Sequence, residues 1–193
     1  MRSTWIEIPP FFGTQFGYFI EYKLKEYYDQ ELGCQRVLHG YKPQKYDKAA
    51  PDGDVDLALF DENGGFAAVE IKPLELLSNP VRLGTFIQKL VCRAKALGSQ
   101  KGLSPNELWL YTYSFQLERG NTKPYMLEKS HRDTLVEIAV QIQKEMPGAQ
   151  FLCKHILVTR NKVTPGDRIP YKKFLESSIK PNQIQTIFTT KKQ

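Results

Sequence analysis

A predicted β-hairpin constrains the fold of this chain more than any other feature. Two short runs rich in Val, Leu, Ile and Phe, residues 54–60 and 66–72, flank the turn-forming residues 61–65, Asp-Glu-Asn-Gly-Gly. Short apolar runs on either side of a glycine-containing turn are typical of two antiparallel strands. The chain must therefore build a sheet around this hairpin, and the charged residues of the hairpin must be accommodated there.

The length of the turn decides which side chains share a face, because side chains alternate between the two faces of a strand. A two-residue Asn63-Gly64 loop would separate the carboxylates of Asp56 and Glu70. A three-residue loop, residues 62–64 with Gly64 in the left-handed conformation, instead pairs Asp56 with Glu70, and we expect this register. The other predicted pairs are Phe60 with Phe66, Ala58 with Ala68 and Asp54 with Lys72, and the predicted core face is Val55, Leu57, Leu59, Ala67, Val69 and Ile71.

The charged side chains of the hairpin indicate a metal site. Opposed carboxylates such as Asp56 and Glu70 destabilise a sheet unless something neutralises them, and a divalent cation is the simplest candidate. Mg²⁺, or Mn²⁺ in its place, binds such oxygen ligands, and beside a lysine it can activate a water for phosphodiester hydrolysis. The alternative is an exposed hairpin edge whose charges are merely solvated.

The composition is consistent with one compact domain that binds a polyanion. The 193 residues, 41% of them hydrophobic, suffice for one substantial core, so we expect a single domain over residues 1–193. The 27 Lys and Arg residues exceed the 21 Asp and Glu residues, and the net charge of +6 suits DNA as a partner. The sequence shows no apolar run of membrane-spanning length and no signal-peptide core, so we expect no membrane partner and a cytoplasmic location.

Hydrophobic periodicity predicts the elements around the hairpin. We expect helices over about 12–31, from Asn79-Pro80 to Gly98, and over 128–146, and strands near 34–39, 107–116 and 151–159. Residues 160–193 give mixed signals for a short helix near 171–178 and a strand near 184–189. The predicted fold class is α/β, with a mixed central β-sheet flanked by helices.

Two groups of basic side chains are candidates for binding a nucleic-acid backbone. The loop before the hairpin contains Lys42, Lys45 and Lys48 together with two tyrosines, and the helix after the hairpin carries Lys89 and Arg93. Lysine and arginine neutralise phosphates, while tyrosine can hydrogen-bond or stack on bases. For the loop, an ordinary solvated segment is about as consistent with the sequence.

The order of the predicted elements and the hairpin motif resemble the PD-(D/E)XK nuclease superfamily. The resemblance covers roughly residues 12–116 and rests on Asp56, the run Glu70-Ile71-Lys72, the apolar residues before Glu70, and Pro51-Asp52 upstream. It implies a restriction-endonuclease-like αβββαβ core with C-terminal additions. It further implies that Asp56, Glu70 and the Ile71 carbonyl bind Mg²⁺, and that Lys72 positions or activates the attacking water.

The position of the motif aspartate is open among three residues. The family name would match Pro51-Asp52, and Asp54 and Asp56 compete with Asp52. We expect Asp56, because it immediately precedes the apolar run and faces Glu70 in the preferred register. The two carboxylates should raise the pKa of Lys72, so we expect this lysine to orient the water and stabilise charge more than to act as a neutral base.

The resemblance implies two further catalytic residues. Many members of the superfamily add a glutamate from the first helix, and Glu21 matches by location, four residues after Gly17, where the missing side chain leaves room. A glutamine or lysine on the helix after the third strand also recurs, and Gln88 is the best match.

The function implied is that of a Mg²⁺-dependent DNA endonuclease, either of restriction type or of repair and recombination type. With one site per chain, cutting both strands would require a homodimer. The alternative is a non-catalytic nucleic-acid-binding or recruitment subunit that kept the nuclease fold within a larger nucleoprotein assembly.

Overall fold

The structure of the protein, a computed structural model, describes residues 10–43, 53–117, 125–160 and 179–190. The helices in these ranges are α1 (Pro10–Leu32), α2 (Pro80–Lys101) and α3 (Lys129–Glu145). The strands are β1 (Val37–Tyr41), β2 (Val55–Phe60), β3 (Gly65–Pro73), β4 (Ser104–Leu117), β5 (Gln150–Arg160) and β6 (Ile184–Thr189).

The six strands form one mixed sheet whose spatial order follows the chain, β1-β2-β3-β4-β5-β6. The pairs β1–β2, β2–β3 and β5–β6 are antiparallel, whereas β3–β4 and β4–β5 are parallel. Parallel neighbours require a crossover, and α2 and α3 supply the two crossovers. The predicted α/β class with a mixed sheet flanked by helices is confirmed.

The core consists of two apolar layers, one on each face of the sheet. The first layer joins α1 to one face and includes Ile20 and Leu24, and the second joins α2 and α3 to the other face and includes Leu90 and Leu135. Five of the six predicted core-face residues of the hairpin lie in the first layer. The sixth, Val55, packs in the second layer instead. The alternation of β2 breaks at this end of the strand, where its regular pairing with β3 has stopped.

The hairpin has the predicted three-residue loop. Phe60 pairs with Phe66, and Gly64 adopts a φ of 79°, which favours glycine. The Asp61 backbone N–H donates to the Gly65 carbonyl, and the Asp61 carboxylate accepts the Gly65 N–H in return. Because β1 and β4 flank the hairpin, it lies inside the sheet rather than at an exposed edge.

The predicted end of the second helix is wrong. Asn79 caps its start as expected, since the Asn79 side chain accepts the Arg82 backbone N–H. The helix, however, passes through Gly98 and ends at Gly102, whose φ of 65° provides the left-handed cap. Gly98 has a packing role instead, because a Cβ at this position would lie 2.7 Å from the Leu103 carbonyl oxygen.

The remaining boundaries agree to within a few residues, apart from the first strand. Residues 34–36 form a 3₁₀ turn and β1 extends to Tyr41, so that strand lies later than predicted. The strand expected near 184–189 is present as β6. The helix expected near 171–178 lies outside the described residues. No helix of the described ranges has the length and apolar character that crossing a membrane requires.

Candidate active site

Asp56 and Glu70 lie together where β2 and β3 separate. The paired positions of these strands run back from the turn as far as Leu57 and Val69. Beyond that point the Asp56 Oδ2 accepts a hydrogen bond of 2.7 Å from the Ile71 backbone N–H. Asp56 and Glu70 are only 8% and 2% exposed. The predicted proximity of the carboxylates therefore occurs, but through a side-chain contact to the backbone of β3 rather than through a ladder pair.

The Lys72 ammonium lies among the oxygen atoms that were predicted to bind metal. Its Nζ is 2.5 Å from Glu70 Oε1 and 3.6 Å from Asp56 Oδ2. It also donates a hydrogen bond of 3.0 Å to the Ile71 carbonyl. The ammonium lies 4.9 Å from the centre of the Phe86 ring, which closes one side of the site. One cation thus contacts all three predicted ligand groups.

Burial dominates the electrostatics of these carboxylates. Burial first, and the neighbouring Asp56 charge second, raise the pKa of Glu70 to about 7. Burial also raises the pKa of Asp56, although Lys72 offsets part of this shift. For Lys72, burial by itself lowers the pKa, but the charges of Glu70 and Asp56 outweigh it, so the pKa of Lys72 is raised. This direction was predicted, and it keeps Lys72 charged at neutral pH.

Glu21 approaches the same site from α1. Burial, followed by the charge of Asp56, raises the pKa of Glu21 to about 7. Its Oε2 lies 3.6 Å from His39 Nε2 on β1. Gly17, one turn earlier, faces the Tyr113 hydroxyl, and an added Cβ would make an ordinary contact of 3.8 Å there. Glu21 is therefore near the carboxylates as predicted, whereas the space beside Gly17 is already filled by Tyr113.

Arg93 of α2 borders the opposite side of the site. Its Nη1 donates to the Asp54 carbonyl at 2.8 Å and lies 3.9 Å from Glu70 Oε2. The guanidinium packs on the backbone of Gly53, where a Cβ would lie 2.1 Å from Arg93 Nη2. The Arg93 side chain, expected to bind phosphate, is only 12% exposed, and these contacts anchor it against the chain that leads into β2.

Gln88 lies on the face of α2 that is turned away from the site. Phe86 and Arg93 both contact site residues and, seven residues apart, share one helix face. At about 100° per residue, Gln88 is displaced by roughly 200° from Phe86. It follows Gly84 by one turn, and Gly84 packs against α3. Lys89 lies between Phe86 and Arg93 on the site face, and it is the better-placed of the two polar residues.

The other predicted residues are distributed around the entrance to β2. Asp54 is exposed, and its Oδ2 lies 3.7 Å from the position that a Cβ of Gly40 would occupy. The Asp54 charge contributes to the raised pKa values of Glu21 and Asp56. Lys42 follows β1 and is exposed. Lys45, Lys48 and Asp52 lie outside the described residues.

One buried oxygen atom of the site is suited to bind a divalent cation. The Glu70 Oε2 is buried and has no hydrogen-bond partner among the described residues. Such an oxygen is costly unless something satisfies it, and a cation would do so. The described residues contain no group of three or more His, Cys, Asp or Glu side chains arranged to hold a metal. The predicted ligand set consists of only two carboxylates, those of Asp56 and Glu70, together with the Ile71 carbonyl oxygen.

Comparison of the chain with protein-family models, with curated proteins and with solved structures gives no match. The geometry of the site and the hairpin motif are therefore the grounds for assigning a function.

Sequence reasoning missed the site contacts of Phe86 and His39. Phe86 belongs to the apolar stripe of α2, which predicts a buried side chain, but its ring also faces the Lys72 ammonium. The sequence signal for this contact is the position of Phe86 at the border of the stripe, on one helix face with Arg82 and Lys89. His39 gave no signal in sequence, because its proximity to Glu21 depends on the packing of α1 against β1.

Proposed function

We propose that the chain is a Mg²⁺-dependent DNA endonuclease, of restriction type or of repair and recombination type, with a core of the restriction-endonuclease-like kind. The observation that carries the proposal is the convergence of Asp56 Oδ2, Glu70 Oε1 and the Ile71 carbonyl on the Lys72 ammonium, at 3.6, 2.5 and 3.0 Å from its Nζ. The buried Glu70 oxygen that lacks a partner in the described residues supports it further. The resemblance of the hairpin motif to the PD-(D/E)XK superfamily supplies the reaction class.

Asp56, Glu70 and the Ile71 carbonyl would hold the ion, which when bound stabilises negative charge and lowers the pKa of a water. Lys72, kept charged by the two carboxylates, donates N–H hydrogen bonds to the attacking water and to a phosphate oxygen. Glu21, with a pKa of about 7, accepts the proton of that water near neutral pH.

The experiment is cleavage of supercoiled and linear plasmid DNA by the wild type and by Glu70→Gln, with Mg²⁺ or Mn²⁺ and with EDTA. The matched control is Glu137→Gln, which removes an exposed glutamate of α3. We expect discrete metal-dependent products from the wild type and the control, and none from Glu70→Gln. Cleavage by Glu70→Gln at the wild-type rate would refute the proposal.

A second candidate is a non-catalytic nucleic-acid-binding or recruitment subunit. The observation that favours it is the Lys72 ammonium, which already supplies positive charge to both buried carboxylates. A site neutralised in this way can persist as a structural element without hydrolytic chemistry. Retained DNA binding by the wild type without metal-dependent cleavage would support this candidate over the endonuclease.

A further inference from the structure

Two exposed tyrosines lie one turn apart on α1. Tyr18 is 62% exposed and Tyr22 is 52% exposed. Residues four apart on a helix are neighbours, with Cβ atoms about 5–6 Å from each other, so the two side chains lie on one face of α1. Aromatic side chains of this size usually bury most of their area, and this pair exposes it to solvent.

The tyrosine pair borders the candidate active site. Glu21 lies within the same helical turn, three residues after Tyr18 and one residue before Tyr22. Glu21 also contacts His39 and interacts electrostatically with Asp56. Glu21 therefore lies at the border of the buried face of α1, and the two tyrosines lie beside it on the exposed face.

The surroundings of the pair argue against an apolar protein partner. The neighbouring side chains are charged: Lys25 forms an ion pair with Asp29, and Glu26 pairs with Lys23 at 2.7 Å. An apolar docking surface would need a wider stripe of hydrophobic residues than two tyrosines among ion pairs. Aromatic rings bordered by polar groups instead suit a partner that presents both flat apolar faces and hydrogen-bonding groups.

We propose that Tyr18 and Tyr22 form a stacking platform for unpaired bases, so that the substrate is single-stranded DNA or a single-stranded end, a refinement that rests on the proposed endonuclease function. Bases stack on tyrosine rings with little sequence preference. In a duplex the base faces are covered by their neighbours, so exposed rings on a helix cannot reach them without unstacking. A single strand presents these faces freely beside Glu21.

Basic side chains on α2 complete the surface on the opposite side of the site. Arg82 lies over the Phe86 ring, 5.9 Å from its centre, and Lys72 lies over the same ring. Lys89 shares this helix face. A strand whose bases contact the α1 tyrosines would thus have cations of α2 available for its phosphates.

The test measures binding in EDTA, where the proposed reaction cannot proceed. Fluorescence anisotropy with a labelled single-stranded oligonucleotide and with its duplex gives affinities, and 2-aminopurine in the single strand reports stacking directly. The variants are Tyr18→Ala, Tyr22→Ala, the double variant, and Tyr18→Phe/Tyr22→Phe, which keeps both rings. The control is Val136→Ala/Val140→Ala, since these valines are also exposed and four residues apart, but on α3.

We expect each alanine substitution to weaken single-strand binding about tenfold or more, with little change for the duplex. The phenylalanine variant and the α3 control should keep wild-type affinity, and the 2-aminopurine signal should respond only to loss of the rings. Equal losses for single strand and duplex, or no loss, would overturn the inference, as would a wild type that fails to bind the single strand. Sedimentation that showed a dimer dependent on the tyrosines would replace it with a protein interface.

Failure of the stacking platform and failure of the proposed endonuclease function give different results. Cleavage that depends on Glu70 while the tyrosine variants bind normally would leave the endonuclease standing and remove the platform. Ring-dependent single-strand binding without metal-dependent cleavage would retain the platform and remove the endonuclease.

Discussion

Under the proposed function the Lys72 ammonium would have two roles that substitution can separate, charge neutralisation and positioning of the nucleophile. It stabilises two buried carboxylates that burial would otherwise keep protonated. Its Nζ donates to the Ile71 carbonyl of its own strand, and Asp56 of β2 and the Phe86 ring of α2 also lie beside it. The positive charge thus favours the ionised carboxylates in the folded protein, while the proposed hydrolysis would need that charge at this particular place.

Lys72→Ala is expected to reduce cleavage at least about 100-fold while DNA affinity changes little, because Lys72 is largely buried among carboxylates and contributes to a transition state. Single-turnover cleavage and binding in EDTA measure the two effects. Lys144→Ala, an exposed lysine of α3, is the control. Joint loss of cleavage and binding in a folded Lys72→Ala protein would count against the assigned role.

Gly53 is expected to hold Arg93 in place. Gly53→Ala would bring a Cβ within 2.1 Å of the guanidinium and would strain a φ of 132°. The strain should cost about 1–3 kcal/mol of folding free energy, and displacement of Arg93 from Glu70 should lower cleavage in addition. Denaturant unfolding and cleavage rates measure both quantities.

Gly148→Ala is the matched control for Gly53→Ala. Its φ of 85° is also strained for alanine, but no atom lies within 4 Å of the new Cβ. It should therefore lose stability without losing cleavage beyond what unfolding explains. Equal activity of the two alanine variants, at matched fractions of folded protein, would show that the Arg93 contact is not needed.

At the scale of elements, features set by the local sequence could be predicted, whereas features set by tertiary packing could not. The three-residue turn follows from Gly64 and the alternation of its flanking strands, and the start of α2 follows from Asn79 and Pro80. Gly98 is a stop signal in sequence, and only the close approach of Leu103 and Pro105 shows that it must stay inside the helix.

In the candidate site, too, the residues that depend on tertiary packing could not be predicted from sequence. Asp56, Glu70 and Lys72 were predictable because one hairpin carries all three, although the Asp56 carboxylate meets β3 through the Ile71 N–H and not through the predicted ladder pair. The choice between Gln88 and Lys89 depends instead on which face of α2 packs over the hairpin, and adjacent residues differ by about 100° in direction. The anchoring of Arg93 on Gly53 likewise required the packing of α2 against the entrance to β2.

The pairing of β4 with β5 contains a neutral histidine. His155 Nδ1 and Thr112 Oγ1 are 2.9 Å apart, and His155 Nε2 is 2.9 Å from Ser114 Oγ. Burial lowers the pKa of His155 to about 4, from an ordinary value of 6.5. The unfolded chain therefore binds a proton between pH 6.5 and 4 that the folded chain does not, so protonation favours unfolding in this window.

His155→Gln is expected to flatten this part of the pH dependence of stability. The contribution of His155 is fully present above about pH 6.5 and is lost as the pH falls toward 4, by up to about 3 kcal/mol. Urea unfolding across pH 4–8 gives the free energy of unfolding of the wild type and of the variant. As the pH falls, the free energy of unfolding of the wild type should decrease more than that of the variant. A difference that does not vary with pH would contradict the assignment of a neutral His155.

At the scale of the whole molecule, the charge is unevenly arranged. The chain carries a net charge of +6, yet Asp54, Asp56, Glu70 and Glu21 interact at one place, and Lys72 is the principal cation among them. Burial chiefly, and the Asp56 charge in addition, raises the pKa of Glu21 and of Glu70 to about 7, so these carboxylates are desolvated as well as close to like charge. A positive surface can attract DNA, while this negative pocket can accept a small cation that DNA phosphates also contact.

Mg²⁺ should therefore stabilise the folded protein. At a concentration one hundred times its dissociation constant, an ion that binds only the folded state adds about 2.7 kcal/mol. For a chain of this size that corresponds to roughly 5–10 °C in Tm. Differential scanning fluorimetry at constant ionic strength should show this shift for the wild type and for Glu137→Gln, and none for Glu70→Gln. Because Glu70→Gln also removes a buried charge, its Tm without the ion should exceed that of the wild type above pH 7, where the wild-type carboxylate must ionise. A Mg²⁺ shift of equal size in Glu70→Gln would place the ion elsewhere on the protein.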